Sequence, residues 1–180
     1  MLAELLGRHA GRVVVSNPLR TRAIADAKRK TDDIDAATLA ELLAADWGVS
    51  ADIWSCPSFT ELRRDGLAAA RWNLLHPTEK PRQSWVEQCL AGTKGPVIAS
   101  TDYVRAFADQ VREFVPRRYK ALGTDGFGRS DSRENLRRFF EVDRHYVAVA
   151  ALKALAEDGE IPAAKVAEAI AKYGIDAEKP

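Results

Sequence analysis

Pro96-Val97-Ile98-Ala99, then Tyr103, Phe107, Val111 and Val115 at every fourth position, then Tyr119-Lys120-Ala121-Leu122: this stretch decides the fold. The first run is short, apolar and β-branched, as a buried strand requires. The fourfold spacing places one face of a helix over residues 103–115 in the core. The last run reads as a further strand that enters a glycine-rich turn. Two buried strands joined through a helix form a parallel pair, because the crossover returns the chain to the same edge.

The pattern extends in both directions. Ala51 to Ser55 reads as a strand, and Arg12-Val13-Val14-Val15 as another, ended by Ser16-Asn17-Pro18. Leu2 to His9 reads as the end of a helix, and the polar segment Leu19 to Lys30 as helical. Asp33 to Trp47 has Ile34, Leu39, Leu42 and Leu43 near helical spacing, with Gly48 as a stop. Ser58 and Glu61 form a capping box at the start of a helix that breaks near Gly66 and closes at His76-Pro77. Thr78 to Arg82 is a loop, Ser84 to Leu90 a short helix, and helices near 133–140, 144–157 and 162–174 complete the chain. The expected fold is α/β: a three-layer, open, mostly parallel sheet with helices on both faces. Its core strands lie near 51–55, 96–100 and 119–123, all parallel.

Composition narrows the function. The 180 residues carry a net charge of +1, with 46% apolar and 29% charged, as in a soluble globular protein. A net charge near zero gives no electrostatic case for nucleic acid or a membrane surface. No apolar run approaches the roughly 20 residues of a membrane helix, and the opening Met1 to Leu6 is too soon interrupted by charge to be a secretory leader. Cys56 and Cys89 lack a set of partner histidines, so a zinc site is not readable, and two thiols suit a reducing cytoplasm.

Gly123-Thr124-Asp125-Gly126-Phe127-Gly128-Arg129-Ser130-Asp131-Ser132-Arg133-Glu134-Asn135-Leu136-Arg137 is the most distinctive stretch. It resembles the strand-end loop and helix start near the C-terminus of homodimeric bacterial pyruvate dehydrogenases, the decarboxylating first component of their complex. Further segments resemble the family in order: Trp54-Ser55 with Ser58-Phe59-Thr60-Glu61-Leu62, Arg71 to Pro77, Ala99 to Tyr103, Phe140-Glu141-Val142-Asp143 and Ile170 to Asp176. The resemblance covers about residues 47–180 and implies a transketolase C-terminal-domain-like fold. Residues 1–46 resemble something else. Arg12 to Pro18, Lys30-Thr31-Asp32-Asp33-Ile34-Asp35-Ala36 and Leu39 to Leu43 look like an insertion-sequence transposase with a DEDD, RNase-H-like nuclease domain. The chain therefore reads as a fusion of two gene fragments, 1–46 and 47–180. The Arg12 strand is expected to take the sheet position of the first family's own first strand.

Each resemblance implies a chemistry. The pyruvate dehydrogenase family uses thiamine diphosphate and magnesium, which the resemblance places on two upstream domains. This domain is then structural and dimerising, with no catalytic, cofactor-binding or metal residue of its own. The implied partners are the parent enzyme's other domains, its second subunit and the acetyltransferase core of the complex, with no membrane and no nucleic acid. In the transposase family Asp32 and Asp35 would help close a two-metal nuclease site, making the chain a remnant acting on DNA. Two carboxylates alone do not hold a metal pair, and Asp32 as N-cap with Asp35 in the first turn accounts for both. A third reading is a non-catalytic α/β scaffold that binds a partner protein.

The glycine loop has two readings as well. Asp125, Gly126, Phe127, Gly128, Arg129 and Arg133 are the candidate loop and interface residues. Inward-turned amides with Arg129 and Arg133 nearby could hold an anion. The reading adopted is a strand-to-helix turn, capped by Asp131 with Glu134 three residues on. His9, His76 and His145 carry no assigned chemistry, with capping or packing expected for His76. Trp47, Trp54, Trp72 and Trp85 read as core and interface anchors. Phe59, Leu62, Trp72, Leu74, Leu75 and the Phe139-Phe140 pair are expected at surfaces that a partner covers.

Overall fold

The computed structural model describes the backbone of residues 12–18 and, in full, residues 38–179. The helices expected over Leu2–His9 and Leu19–Lys30 fall outside the described residues, as do His9, Asp32 and Asp35. The elements in chain order are β1 (Arg12–Pro18), α1 (described over 38–47), β2 (Ser50–Cys56), α2 (Phe59–Leu75), α3 (Trp85–Leu90), β3 (Val97–Val104), α4 (Arg105–Asp109), β4 (Tyr119–Thr124), α5 (Arg133–Phe139), α6 (Arg144–Glu157) and α7 (Ala163–Lys172). A 3-10 turn at Arg112–Phe114 follows α4.

The four strands form one sheet in the order β2-β1-β3-β4. Every pairing is parallel, as expected from the helices between strands. β1 lies inside the sheet, paired from Arg12↔Ser50 to Pro18↔Cys56 on one edge and from Val14↔Val97 to Ser16↔Ala99 on the other.

Alternation along the strands divides the core between two faces. Ile98 packs with Leu39 and Leu43 of α1, Val49, the buried face of α6, and Val166 and Ala169 of α7. Val97 and Ala99 face the other way, toward Phe59, Val86, Leu90, Ala108, Val111 and Phe114. Tyr119 and Ala121 of β4 join this second layer. Helices therefore cover both faces, and the three-layer α/β architecture is what the structure shows.

Local chemistry sets the boundaries. α1 stops at Gly48, whose φ of 66° is left-handed and whose N–H donates to Ala44 O at 3.0 Å. α6 and α7 end the same way, at Gly159 and Gly174 with φ of 78° and 58°. After α5 the left-handed position is held by Glu141 at φ 59°, a conformation that costs a non-glycine residue about 1 kcal/mol. The Ser58 hydroxyl accepts from Glu61 N–H at 3.2 Å, but the Glu61 carboxylate pairs with Arg64. The reciprocal capping box forms at Ser84 and Glu87.

Two expected elements differ. β3 continues to Val104 through a register shift after Ser100, so the helix expected over 103–115 shortens to α4 and a 3-10 turn. Val111 and Val115 are buried as the spacing requires, whereas Tyr103 and Phe107 stay 53% and 43% exposed and meet edge-to-face. The fourfold spacing spanned two elements, so it did not describe one helix face. Nor does α2 break at Gly66. The helix runs unbroken from Phe59 to Leu75, and Gly66 is a buried notch in it.

That notch receives Phe114. A Cβ on residue 66 would lie 2.5–2.6 Å from three atoms of the Phe114 ring. In an open helix Gly→Ala is favourable by about 1 kcal/mol, but overpacking of this degree costs about 1–3 kcal/mol. Gly66→Ala is expected to lower the urea midpoint, and Phe114→Leu added to it to restore part of the loss. A raised midpoint in the single variant would mean that Phe114 moves aside freely.

Candidate functional site

In an open parallel sheet, side chains converge where loops leave the carboxyl ends of the strands. Here those loops follow β3 and β4. Thr101 is buried, and its Oγ1 accepts the Tyr103 N–H at 3.1 Å, which fixes the kink in β3. Gly123 lets the two loops approach. A Cβ there would stand 2.8–2.9 Å from the Arg105 backbone and 2.9 Å from the Thr101 methyl group.

The expected loop residues form a succession of separate contacts. Asp125 accepts from Arg105 at 2.5 Å. Gly126 has a φ of 76°, and a Cβ on Gly126 or Gly128 would meet nothing. Between them Phe127 is 97% exposed. Arg129 lays its guanidinium over the Phe139 ring, 4.2 Å from the centroid. Arg133 approaches Asp102 at 3.7 Å, and Arg137 grips the same carboxylate at 3.1 and 3.2 Å. Asp102, Arg105 and Arg137 were not singled out as site residues in the sequence, and Phe139 was expected only at a covered surface, although charge at a strand end beside an arginine-rich helix is a readable signal.

The helix cap lies one residue from its expected place. Ser132 is the N-cap of α5, accepting from Asn135 N–H at 3.3 Å. Asp131 accepts from Ser132 N–H at 2.7 Å and from the Asn135 side chain at 2.8 Å. The Asn135 hydrogen bond, then the Ser132 amide, hold its carboxyl below the usual carboxylate range. The loop is a braced strand-to-helix turn. Its cap is the Ser132 hydroxyl rather than the Asp131 carboxylate expected from the sequence.

The other singled-out residues pack. His76 stacks on Trp72 at 4.4 Å, with its Nδ1 2.9 Å from Trp72 O, while Arg82 lies over the Trp72 ring. His145 stacks on Tyr173, whose hydroxyl accepts from Trp47 Nε1 at 2.6 Å and donates to Asp46 at 3.2 Å. Burial pushes the Tyr119 hydroxyl far up, and it donates to Ala108 O at 2.6 Å. Cys56 is buried, Cys89 is half-buried, and both are thiols. Trp47 and Trp72 are half-buried, whereas Trp54 and Trp85 are exposed. Phe59 is a core residue and Leu62 packs against it, which corrects their expected surface placement.

Among the described residues, no three His, Cys, Asp or Glu side chains gather as a metal site. No helix there is long and apolar enough to cross a membrane. Asp102, Asp125 and Asp131, the carboxylates nearest the loop, are all engaged by arginine or amide donors, so the donor set does not suit a diphosphate–magnesium group.

Comparison places this architecture among known proteins. The transketolase-like C-terminal domain family matches residues 35–143, and the chain belongs to that family. The pyruvate dehydrogenase E1 components of Pseudomonas aeruginosa and Cupriavidus necator are each 67% identical to it over 141 residues, 78% of this chain and 16% of theirs. That of Escherichia coli K12 is 58% identical over the same length and shares. The chain thus spans about 16% of the length of these relatives. A solved split-gene transketolase, an inactive β4 tetramer, is similar at a TM-score of 0.47 and 17% identity, covering 83% of this chain and 40% of that one.

The cap geometry makes a prediction about acid. Asp131 has a lowered folded pKa, so its stabilising contribution is complete above the ordinary carboxylate range and is lost as pH falls through the folded value. Carbon-detected NMR titration should find Asp131 titrating below a model aspartate, and Asn135→Ala should move it back up. An Asp131 midpoint insensitive to that change would remove the assigned cause.

Proposed function

We propose that this chain is the C-terminal structural domain of a pyruvate dehydrogenase E1 component, acting within the oxidative decarboxylation of pyruvate to acetyl-CoA. The observation that carries this reading is the 67% identity over 78% of the chain to E1 components. Its role is to pack beside the thiamine-binding domains and the second subunit, and to present the enzyme to the acetyltransferase core. The chemistry belongs to thiamine diphosphate and magnesium on the other domains. This domain holds neither and contributes no catalytic residue. A cytoplasmic setting goes with that role.

The reading of residues 1–46 as a transposase-derived fragment rests on the Lys30–Ala36 and Leu39–Leu43 motifs. The family match begins at residue 35, so the stretch 35–46 belongs to both readings. What favours a structural role over action on DNA is the place of β1, which is spent on completing the sheet.

The isolated chain is expected neither to bind thiamine diphosphate with magnesium nor to decarboxylate pyruvate. Calorimetric titration with the cofactor checks this, and a micromolar dissociation constant would place the site wrongly. Surfaces that the rest of an enzyme would cover are exposed: Leu74 at 77%, Leu75 at 54% and Trp85 at 58%, with Phe139 at 41%. Burying one exposed aromatic contributes about 2 kcal/mol, so a few together favour association at micromolar concentration. Light scattering over a dilution series should show self-association. A monodisperse monomer at high concentration would contradict the exposed surfaces as docking faces.

A further inference from the structure

Between α5, the glycine loop and the tail beyond α7 lies an open cleft of about 320 Å³. Arg129, Arg138 and Lys179 bring three cationic heads to it, and Asp131 and Asp176 bring two carboxylates. The cations contact neutral groups, and Arg129 also acts coulombically on Asp131. Arg129 lies on the Phe139 ring, Arg138 donates to Gly174 O at 3.0 Å, and Lys179 Nζ donates to Phe139 O at 2.7 Å. The carboxylates rest on amides: Asp131 on Ser132 and Asn135, and Asp176 on Glu178 N–H at 3.0 Å. At the carboxyl ends of the strands, by contrast, Arg105 and Arg137 are neutralised by Asp125 and Asp102. In the cleft, the acids are engaged by local donors while the bases keep unspent N–H groups.

We propose that this cleft binds a small phosphate monoester with an apolar organic part. Two guanidinium groups and an ammonium suit a phosphoryl oxyanion, which accepts charge-assisted hydrogen bonds from each. Leu136 in the lining provides an apolar contact for the organic part beside the Phe139 ring, which Arg129 and Lys179 overlie at 4.2 and 4.7 Å, and Tyr146 adds a hydroxyl. Three cations against two carboxylates leave one net positive charge in the lining. That balance favours a single phosphoryl group over a di- or triphosphate, whose further charges would meet Asp131 and Asp176. The tail takes part directly: the left-handed turn at Gly174 sends it back across α5 and delivers Lys179.

Phenyl phosphate is a suitable probe, titrated calorimetrically into the full chain at low ionic strength, with inorganic phosphate and phenol as comparisons. The expected result is saturable binding of phenyl phosphate, weaker binding of phosphate and none of phenol. Arg138→Gln and Lys179→Gln should each weaken phenyl phosphate about tenfold, the worth of one charge-assisted hydrogen bond. Arg129→Gln should act in the same direction. Since Arg129 rests on a ring that is 41% exposed, this variant keeps the test open should Arg138→Gln fail to fold, with circular dichroism as the check. Absence of saturable binding at millimolar phenyl phosphate, unchanged affinity in the folded variants, or equal binding of phenol would each overturn the proposal.

Discussion

The sheet depends on β1. It pairs with β2 along its whole length and with β3 over three residues, so the ladder between the two halves of the sheet runs through it. Buried backbone N–H and C=O groups must be paired, and without β1 the inner edges of β2 and β3 would face each other across an empty strand position. β1 precedes residue 35, where the family match begins, yet it occupies an interior position of this sheet. The requirement at that position is generic. It asks for a short extended run with β-branched residues, and Val13-Val14-Val15 supplies one.

Once the sheet is complete, small residues decide how closely its covering layers approach. α6 turns Ala148, Ala151 and Ala154 into the core beside Leu152 and Leu155. On the opposite face Gly66 accepts the Phe114 ring, and at the carboxyl end Gly123 brings β4 against the start of α4. The last contact positions function-bearing groups. It places Asp125 within reach of Arg105, and the glycine loop then crosses to α5, where Arg129 finds Phe139. Loop geometry is thus a consequence of packing several residues away.

The β-branched runs and helical patterns of the sequence carried most of the fold. The strands at 51–55, 96–100 and 119–123, the helix at 144–157 and the stop at Gly48 could be read because each is set by local chemistry. What could not be read depends on partners distant in sequence. Gly66 looked like a helix break because Phe114, 48 positions on, is what fills it. Tyr103 and Phe107 looked buried because the register shift in β3 is not a property of the segment itself. The loop residues Asp125, Arg129 and Arg133 were visible as a motif. Their pairings with Arg105, Phe139 and Asp102 were not, since ion pairs and ring contacts at this distance leave no periodic trace.

The distribution of charge argues for what kind of molecule this is. Ion pairs brace the elements at several points: Lys172 with Asp46 between α7 and α1, Arg118 with Glu157 and Asp158 between the start of β4 and α6, and Arg137 with Asp102 between α5 and β3. Exposed pairs of this type are worth little singly in stability, about 0–1 kcal/mol each. Their effect is to fix orientation and to occupy carboxylates that a reaction centre would need. Apolar surface remains on α2 and α3, together with Phe127 at the tip of the glycine loop. Such surface acts through burial, at roughly 25 cal/mol per Å². This apolar surface is what the structural role proposed above would cover. The cleft beside α5 differs, because there three cations meet only two carboxylates and lean largely on a ring and on backbone carbonyls.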